Sequence, residues 1–298
     1  MAFEGSPAVA RHRLRLALRK AREAKDLTQG QVADALDWSL SKLQRIEGGE
    51  NSISPTDTRA LLAELDVTEP ATVDALITQA RMARRRGRWD EARFRDLLTA
   101  PTRALLEYEA EATEIRNFQT VLIPGPLQTP DLAEHVMAGW SDELSDQERA
   151  IRLEVRLSRR DRIFARPNPP VYRLLIDESV LHRVLGGPRV FGEQLRSLLR
   201  DQQAGLLEIR VLPFSMTAIV ALGLPFVVLS LGGDEDSVLY RESHLVDEIV
   251  QTPEKVHRHL SLFDQLWDQG HGKAATEALI THHADILLGN ADQGTTST

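Results

Sequence analysis

Apolar positions recur at helical spacing over the first third of the chain. Leu14, Leu18 and Ala21 give an i, i+4, i+7 stripe on a first helix. Thr28 caps a second that runs through Leu36. Ser39 caps a third, which ends at the Gly48-Gly49 pair, where glycine suits the left-handed exit of a helix. Ser54-Pro55 opens a fourth, with proline at its first helical position. A fifth spans 70–86. Residues 1–10 read as a disordered lead and 11–86 as an all-α head of five helices.

Beyond the head the pattern changes twice. Residues 89–112 read as one helix, Ile123-Pro124-Gly125-Pro126 breaks the chain, and helices follow at 131–138 and 145–165. After Pro167 come apolar runs of strand length, at 171–176, 207–212, 226–231 and 238–241. Gly232-Gly233-Asp234 between the last two predicts a hairpin turn. Helical patterns lie between the first two runs (178–185, 189–203), and two more close the chain (253–267, 273–287). The fold class expected is therefore an all-α head joined to a larger mixed α/β C-terminal domain. That domain covers 87–288 with its helical connector, and 289–298 form a disordered tail.

The net charge of −8 conceals a division. Residues 1–88 carry +3 and the remainder −11, and between Arg11 and Lys25 seven basic side chains face one acid, Glu23. A basic head on an acidic body suits nucleic-acid binding by one end, although a basic helix is also commonly just a solvated face. On charge alone, the acidic body is not expected to touch DNA. The basic run Arg84–Arg88 reads either as a hinge near phosphates or as a solvated linker. Cysteine is absent, which excludes disulfides, thiolate metal sites and thiol catalysis. With no signal peptide and no apolar run long enough to span a bilayer, a cytoplasmic location without membrane contact is expected.

The segment LTQGQVADALDWSLSKLQRIEGG, residues 27–49, is the most informative. Val32 and Leu36 should face inward from the second helix, and Leu43 and Ile46 from the third. Asp37 falls in the tight turn, where a left-handed residue is needed and Asp tolerates that conformation better than most. Leu40, Ser41, Gln44 and Arg45 then lie on the open face of the third helix. A recognition helix places such residues at base edges in the major groove, where Arg45 can fork onto guanine, Gln44 can read adenine and Leu40 can touch a thymine methyl. The segment resembles the Cro/repressor (XRE) class of helix-turn-helix regulators over about residues 11–67. Gly30 inside the second helix, and Asp37 in place of the usual glycine, depart from the pattern. The resemblance implies base reading by Ser41 and Arg45, phosphate contact by Gln29 with Thr28, Ser39 and Lys42 nearby, and a partly buried salt bridge between Arg22 and Glu47.

The C-terminal domain carries a second resemblance. Its marks are Tyr108–Ala112, Ile115–Phe118, Val121–Pro130, Asp177–Leu181, Gly186-Gly187, Gln194-Leu195, Val211–Pro213 and Val238–Glu242. It is similar to the C-terminal domain of a large actinomycete group of Cro-type regulators sometimes called antitoxin-like, with Pro126 departing from the pattern. This implies a regulator often encoded beside a small partner protein, and it supplies no ligand. Read without the family, Pro124-Gly125-Pro126 is either a rigid corner or the edge of a pocket, and the corner is preferred.

No constellation of an enzyme stands out. No phosphate loop or Gly-x-Ser-x-Gly elbow is present. His257 and His259, and the adjacent His282 and His283, point to different sides of the helices expected there, so no metal or cofactor is expected. Asp177 reads as a helix cap rather than a catalytic acid. The expected function is sequence-specific binding of double-stranded DNA at a near-palindromic operator by a homodimer, because one short recognition helix covers few base pairs. The C-terminal domain would dimerise, bind a small protein or sense a small-molecule effector. The alternative is a protein-interaction module whose head does not read DNA.

Overall fold

The computed structural model describes residues 5–139, 142, 144–215, 225–242 and 247–294, with side chains through 289. The head holds five helices, α1 (Pro7–Ala24), α2 (Gln29–Ala35), α3 (Leu40–Gly48), α4 (Pro55–Glu64) and α5 (Pro70–Ala83). Leu14, Leu18, Val32, Ala33, Leu43, Ile46, Leu61 and Leu62 form its core. Thr28, Ser39 and Ser54 cap the helices that follow them.

The expected disordered lead is corrected from Ser6 onward. Helix α1 begins at Pro7, capped by Ser6. Its first turn buries Ala8 and Val9 in the core of the C-terminal body, among Leu105, Tyr108 and Ala112. The Glu107 carboxylate accepts from the Ala8 amide and from Ser6 Oγ, both at 2.6 Å, satisfying donors that a helix start leaves open. One helix thus serves two cores. The fifth helix stops at Ala83, short of the expected 86, and exposed Arg84–Arg86 follow it in a turn.

The single helix expected over 89–112 is broken into a 3-10 turn at Arg88–Asp90, α6 (Ala92–Arg95) and α7 (Ala100–Glu111). Trp89, Phe94, Leu98 and Leu106 bury around Val155, which bends the chain. Thr99 then caps α7, with proline in its first turn.

The body is a six-stranded mixed sheet of β1 (Glu114–Gln119), β2 (Val171–Asp177), β3 (Glu208–Leu212), β4 (Phe226–Ser230), β5 (Ser237–Arg241) and β6 (Glu248–Val250), in the order β3-β2-β1-β4-β5-β6. The first three strands are parallel to one another, and β4, β5 and β6 continue antiparallel. Helices α8 (Pro130–Ala138) and α9 (Asp146–Phe164) connect β1 to β2, and α10 (Ser179–His182) and α11 (Gly187–Gln203) connect β2 to β3. The chain closes with α12 (Pro253–Gln269) and α13 (Lys273–Gly294).

Strand alternation divides the core. Leu174, Ile176, Val211, Val227 and Leu229 pack with residues of α11 and α13 on one face. Leu175, Leu212, Phe226, Val228 and Leu239 pack with α12 on the other. The hairpin joining β4 and β5 carries a 3-10 turn at Asp234–Asp236. Helix α13 runs past Gly289, where the disordered tail was expected, to Gly294. The longest apolar stretch of the sequence is 218–231, and its residues 218–224 lie outside the described residues. No helix among the described residues is long and apolar enough to cross a membrane.

Candidate nucleic-acid interface

Three head helices end in the same way. Asp26, Asp37 and Asp66 take φ of 53°, 54° and 54°, the left-handed region that Asp enters more readily than most L residues. The following amides reach back to form the longer bond of a Schellman exit: Leu27 to the Arg22 carbonyl at 3.3 Å, Trp38 to Ala33 at 2.8 Å and Val67 to Leu62 at 2.9 Å. Leu27, Trp38 and Val67 then pack on the head core. The Asp37 exit, followed at once by the Ser39 cap, sets the angle between α2 and α3.

On α3, Leu43, Ile46 and Glu47 turn inward. Leu40, 46% exposed, and Ser41, Gln44 and Arg45 form the open row. Arg45 Nε donates to the Ser41 carbonyl at 3.2 Å, which lays the guanidinium along the helix surface. Ser39 Oγ accepts from the Lys42 amide at 3.2 Å and lies 3.3 Å from Ser41 Oγ. Gly49, with φ 81°, ends the helix.

Behind this face Arg22 forks onto Glu47, Nε to Oε1 at 2.7 Å and Nη2 to Oε2 at 2.9 Å. The bonds to Glu47 raise the Arg22 pKa against the opposing effect of burial. Gln29 Nε2 also donates to Glu47 Oε2, at 2.7 Å. The same amide carries a second N–H. Thr28 is engaged in a capping box with Gln31. Lys42 is turned aside: its ammonium lies 3.3 Å from Asp57 Oδ2 and 3.7 Å from the centre of the Trp38 ring.

The head is bolted to the body by residues that the sequence did not single out. Arg15, 4% exposed, donates from Nη1 to the Glu47 carbonyl at 3.3 Å and from Nη2 to the Gln251 carbonyl at 3.2 Å. His12, 1% exposed, places Nδ1 3.1 Å from Gln251 Oε1 and Nε2 3.1 Å from Asp236 Oδ1. Arg13 adds bonds to Asp236 Oδ2 at 3.4 Å and to the Leu231 carbonyl at 3.1 Å. Burial alone would raise the Asp236 pKa, but His12 and Arg13 outweigh it and hold the carboxyl below its ordinary value. His12 and Arg15 are three residues apart, so one helix face carries both. Nothing in their local pattern separates them from the exposed cations around them.

In the body, Pro124 and the 3-10 turn Gly125–Leu127 form a corner stapled by Gln194. Gln194, fully buried, donates to the Leu127 carbonyl at 2.8 Å and accepts from the Thr129 amide at 2.6 Å. Asp177 accepts from the Ser179 amide at 2.9 Å, as a capping residue does. His283 packs edge-on against His182, with ring centres 4.7 Å apart. Next to the other edge strand, β3, lies a cavity of about 390 Å³ bordered by Gln202, Leu207, Trp267 and Lys273.

Comparison with known proteins agrees with this division. Residues 13–76 match a helix-turn-helix domain, which suggests DNA binding and a regulator rather than an enzyme. No curated protein and no solved structure matches the chain. Residues 102–282, more than half of the chain, match a domain of unknown function, DUF5753, and the protein therefore belongs to that family, with a helix-turn-helix domain ahead of the family domain.

Proposed function

We propose that this protein is a sequence-reading transcriptional regulator of the Cro/repressor type, binding a near-palindromic operator as a homodimer in the cytoplasm. The observation that supports it best is the division of α3. Leu43, Ile46 and Glu47 are fixed in the head core, while Leu40, Ser41, Gln44 and Arg45 stand together on the open side. A helix anchored in this way can present side chains to base edges at a set depth. Arg45 reads guanine, Gln44 adenine, and Leu40 and Ser41 complete the base contacts. Gln29 clamps a phosphate with its free N–H, beside Thr28 and Ser39. Lys42 joins them once it leaves Asp57, an exposed pair worth under about 1 kcal/mol. Arg22 and Glu47 hold the scaffold.

Residues 11–86 act as the DNA-binding unit and 87–288 as the regulatory body, with the first turn of α1 docked into that body. The body serves dimerisation and the binding of a small partner protein, ahead of the sensing of a small-molecule effector. This ranking rests on the resemblance to antitoxin-like regulators.

The test is selection of duplexes from a random pool by the full chain at two salt concentrations. A two-fold symmetric motif is expected. Arg45→Ala should weaken binding to the selected duplex by about 1–3 kcal/mol and relax preference at one position per half-site. Absence of any enriched motif, or unchanged preference in Arg45→Ala, overturns the reading.

A further inference from the structure

A cleft of about 660 Å³ separates the end of α3 from β6 and the start of α12. That is room for about twenty waters, ample for a phosphate and its sugar. One wall is the head: Arg22, Gln29, Gln44 and Glu47. The other is the body, where Gln251, Thr252 and Lys255 follow β6. The cleft is therefore continuous with the surface proposed to read DNA, since Gln29 and Gln44 belong to both.

Its charge is unbalanced. Four cations, Arg15, Arg19, Arg22 and Lys255, border it, against two carboxylates, Glu47 and Glu248. Both carboxylates are spent, Glu47 on Arg22 and Glu248 on Arg241. Arg19 pairs with Glu23 at 2.6 Å and Glu254 at 3.7 Å. Lys255 is exposed, and no carboxylate lies within ion-pair distance of it among the described residues. Arg15 is the stronger sign. Its buried guanidinium is held by main-chain carbonyls and lies 3.2 Å from His12 Nδ1, without a carboxylate partner among the described residues, and its Nε has no hydrogen-bond partner. Thr252, at the open first turn of α12, makes no capping bond with its side chain. A helix lying in the major groove has a phosphate backbone on each side, because the groove is only about 12 Å wide.

We propose that this cleft takes a backbone phosphate of the operator, with Lys255 and Thr252 of the body and Gln29 of the head as its contacts and Arg15 as the buried cation behind them. The body thereby shares in DNA binding despite its acidic average. The inference rests on the DNA-binding reading above.

The experiment is the salt dependence of affinity for the full chain, measured on a selected duplex and on an unrelated one. Each lost phosphate contact reduces the slope of log affinity against log salt by about 1. Between 50 and 200 mM salt, wild type should lose about fourfold more affinity than Lys255→Ala, on both duplexes alike. Lys255→Glu should weaken binding further, and Lys273→Ala, beside the opposite edge strand β3, should match wild type. Wild-type slopes in both Lys255 variants overturn the proposal, as does a chain that binds neither duplex. It is also overturned if inorganic phosphate raises the unfolding temperature of wild type but not of Lys255→Ala while the DNA slopes agree, since the cleft then takes a free anion. Base preference in wild type and in Arg45→Ala decides the DNA-reading function separately, whatever Lys255 does.

Discussion

Arg15 Nη1 donates to the Glu47 carbonyl at 3.3 Å, so a residue of the first helix holds the end of α3 through its main chain. The same guanidinium holds the Gln251 carbonyl at the end of β6. Head and body thus share one buried cation, and the position of α3 is coupled to the sheet. Arg15→Ala leaves two carbonyls without this donor, and such losses cost about 1–3 kcal/mol each when the groups stay dry. The full chain should unfold at lower denaturant, with its single transition separating into head and body steps. Chemical denaturation followed by tryptophan fluorescence and by circular dichroism checks this: the two probes should coincide for wild type and diverge for the variant.

Glu47 is the acceptor on which Arg22 and Gln29 converge. Its side chain is 5% exposed and that of Arg22 is 11% exposed, so removing the carboxylate strands a cation with little access to water. Glu47→Ala should cost about 3–5 kcal/mol. Glu47→Gln keeps one acceptor and should cost less. Both variants should weaken DNA binding evenly across sequences, because they disturb the scaffold and the bond that holds Gln29 rather than the open row of α3. A variant that altered base preference instead would place Glu47 in the groove.

The head was legible because its helices are marked at both ends by residues with a local reason to be there: Thr28, Ser39 and Ser54 as caps, Asp37 and Gly49 as left-handed exits. None of these depends on distant sequence. Strand β1 was missed for the opposite reason. Its run Glu114-Ile115-Arg116-Asn117-Phe118-Gln119 is mostly polar, yet it lies between β2 and β4 in the sheet. Its polar groups are satisfied across the fold: Asn117 donates to the Tyr172 hydroxyl at 2.8 Å, and Arg116 lies 3.4 Å from Asp234. Those partners have no signature in the segment itself. The candidate site divides in the same way. The open row of α3 follows from helical period alone, whereas the cleft needs Arg22 and Lys255 on facing walls, which only the tertiary fold provides.

Asp37 offers a test of the turn. Its φ of 54° costs an ordinary L residue about 1–2 kcal/mol, a strain that glycine escapes and Asp partly relieves. Asp37→Gly should be neutral or slightly stabilising, and Asp37→Val should destabilise the full chain by about 1–2 kcal/mol or more, β-branched residues being the worst suited. Because Asp37 sets the exit of α2 into α3, Asp37→Val should also weaken DNA binding, while Asp37→Gly should preserve it. Equal stability of the two variants, read by urea denaturation, would contradict the assigned backbone conformation.

The contact between His12 and Asp236 makes the joint of head and body sensitive to acid. With the folded Asp236 pKa below its ordinary value of 3.8, the unfolded chain binds more protons in the window between the two. Stability therefore rises with pH through that window. The contribution of the carboxylate is complete above the ordinary value and disappears as pH falls through the folded one. Glu111, which burial pushes up, acts in the opposite sense, so a raw acid-unfolding curve mixes the two. Comparison with Asp236→Asn removes that ambiguity, since Glu111 is common to both proteins. At pH 7 the variant should be less stable by about 1–3 kcal/mol, because the amide keeps one acceptor oxygen for two partners, buried His12 and half-exposed Arg13, and carries no charge to pair with either. Below about pH 4 the gap should start to narrow, as the unfolded chain takes up the proton first, and it should close as pH falls through the lower folded value, where wild type carries a protonated Asp236 that resembles the amide. Urea denaturation of the two chains at pH 7, 5, 4 and 3 measures it. A gap of the same size at pH 3 as at pH 7 would mean that the charge of Asp236 contributes nothing to the joint.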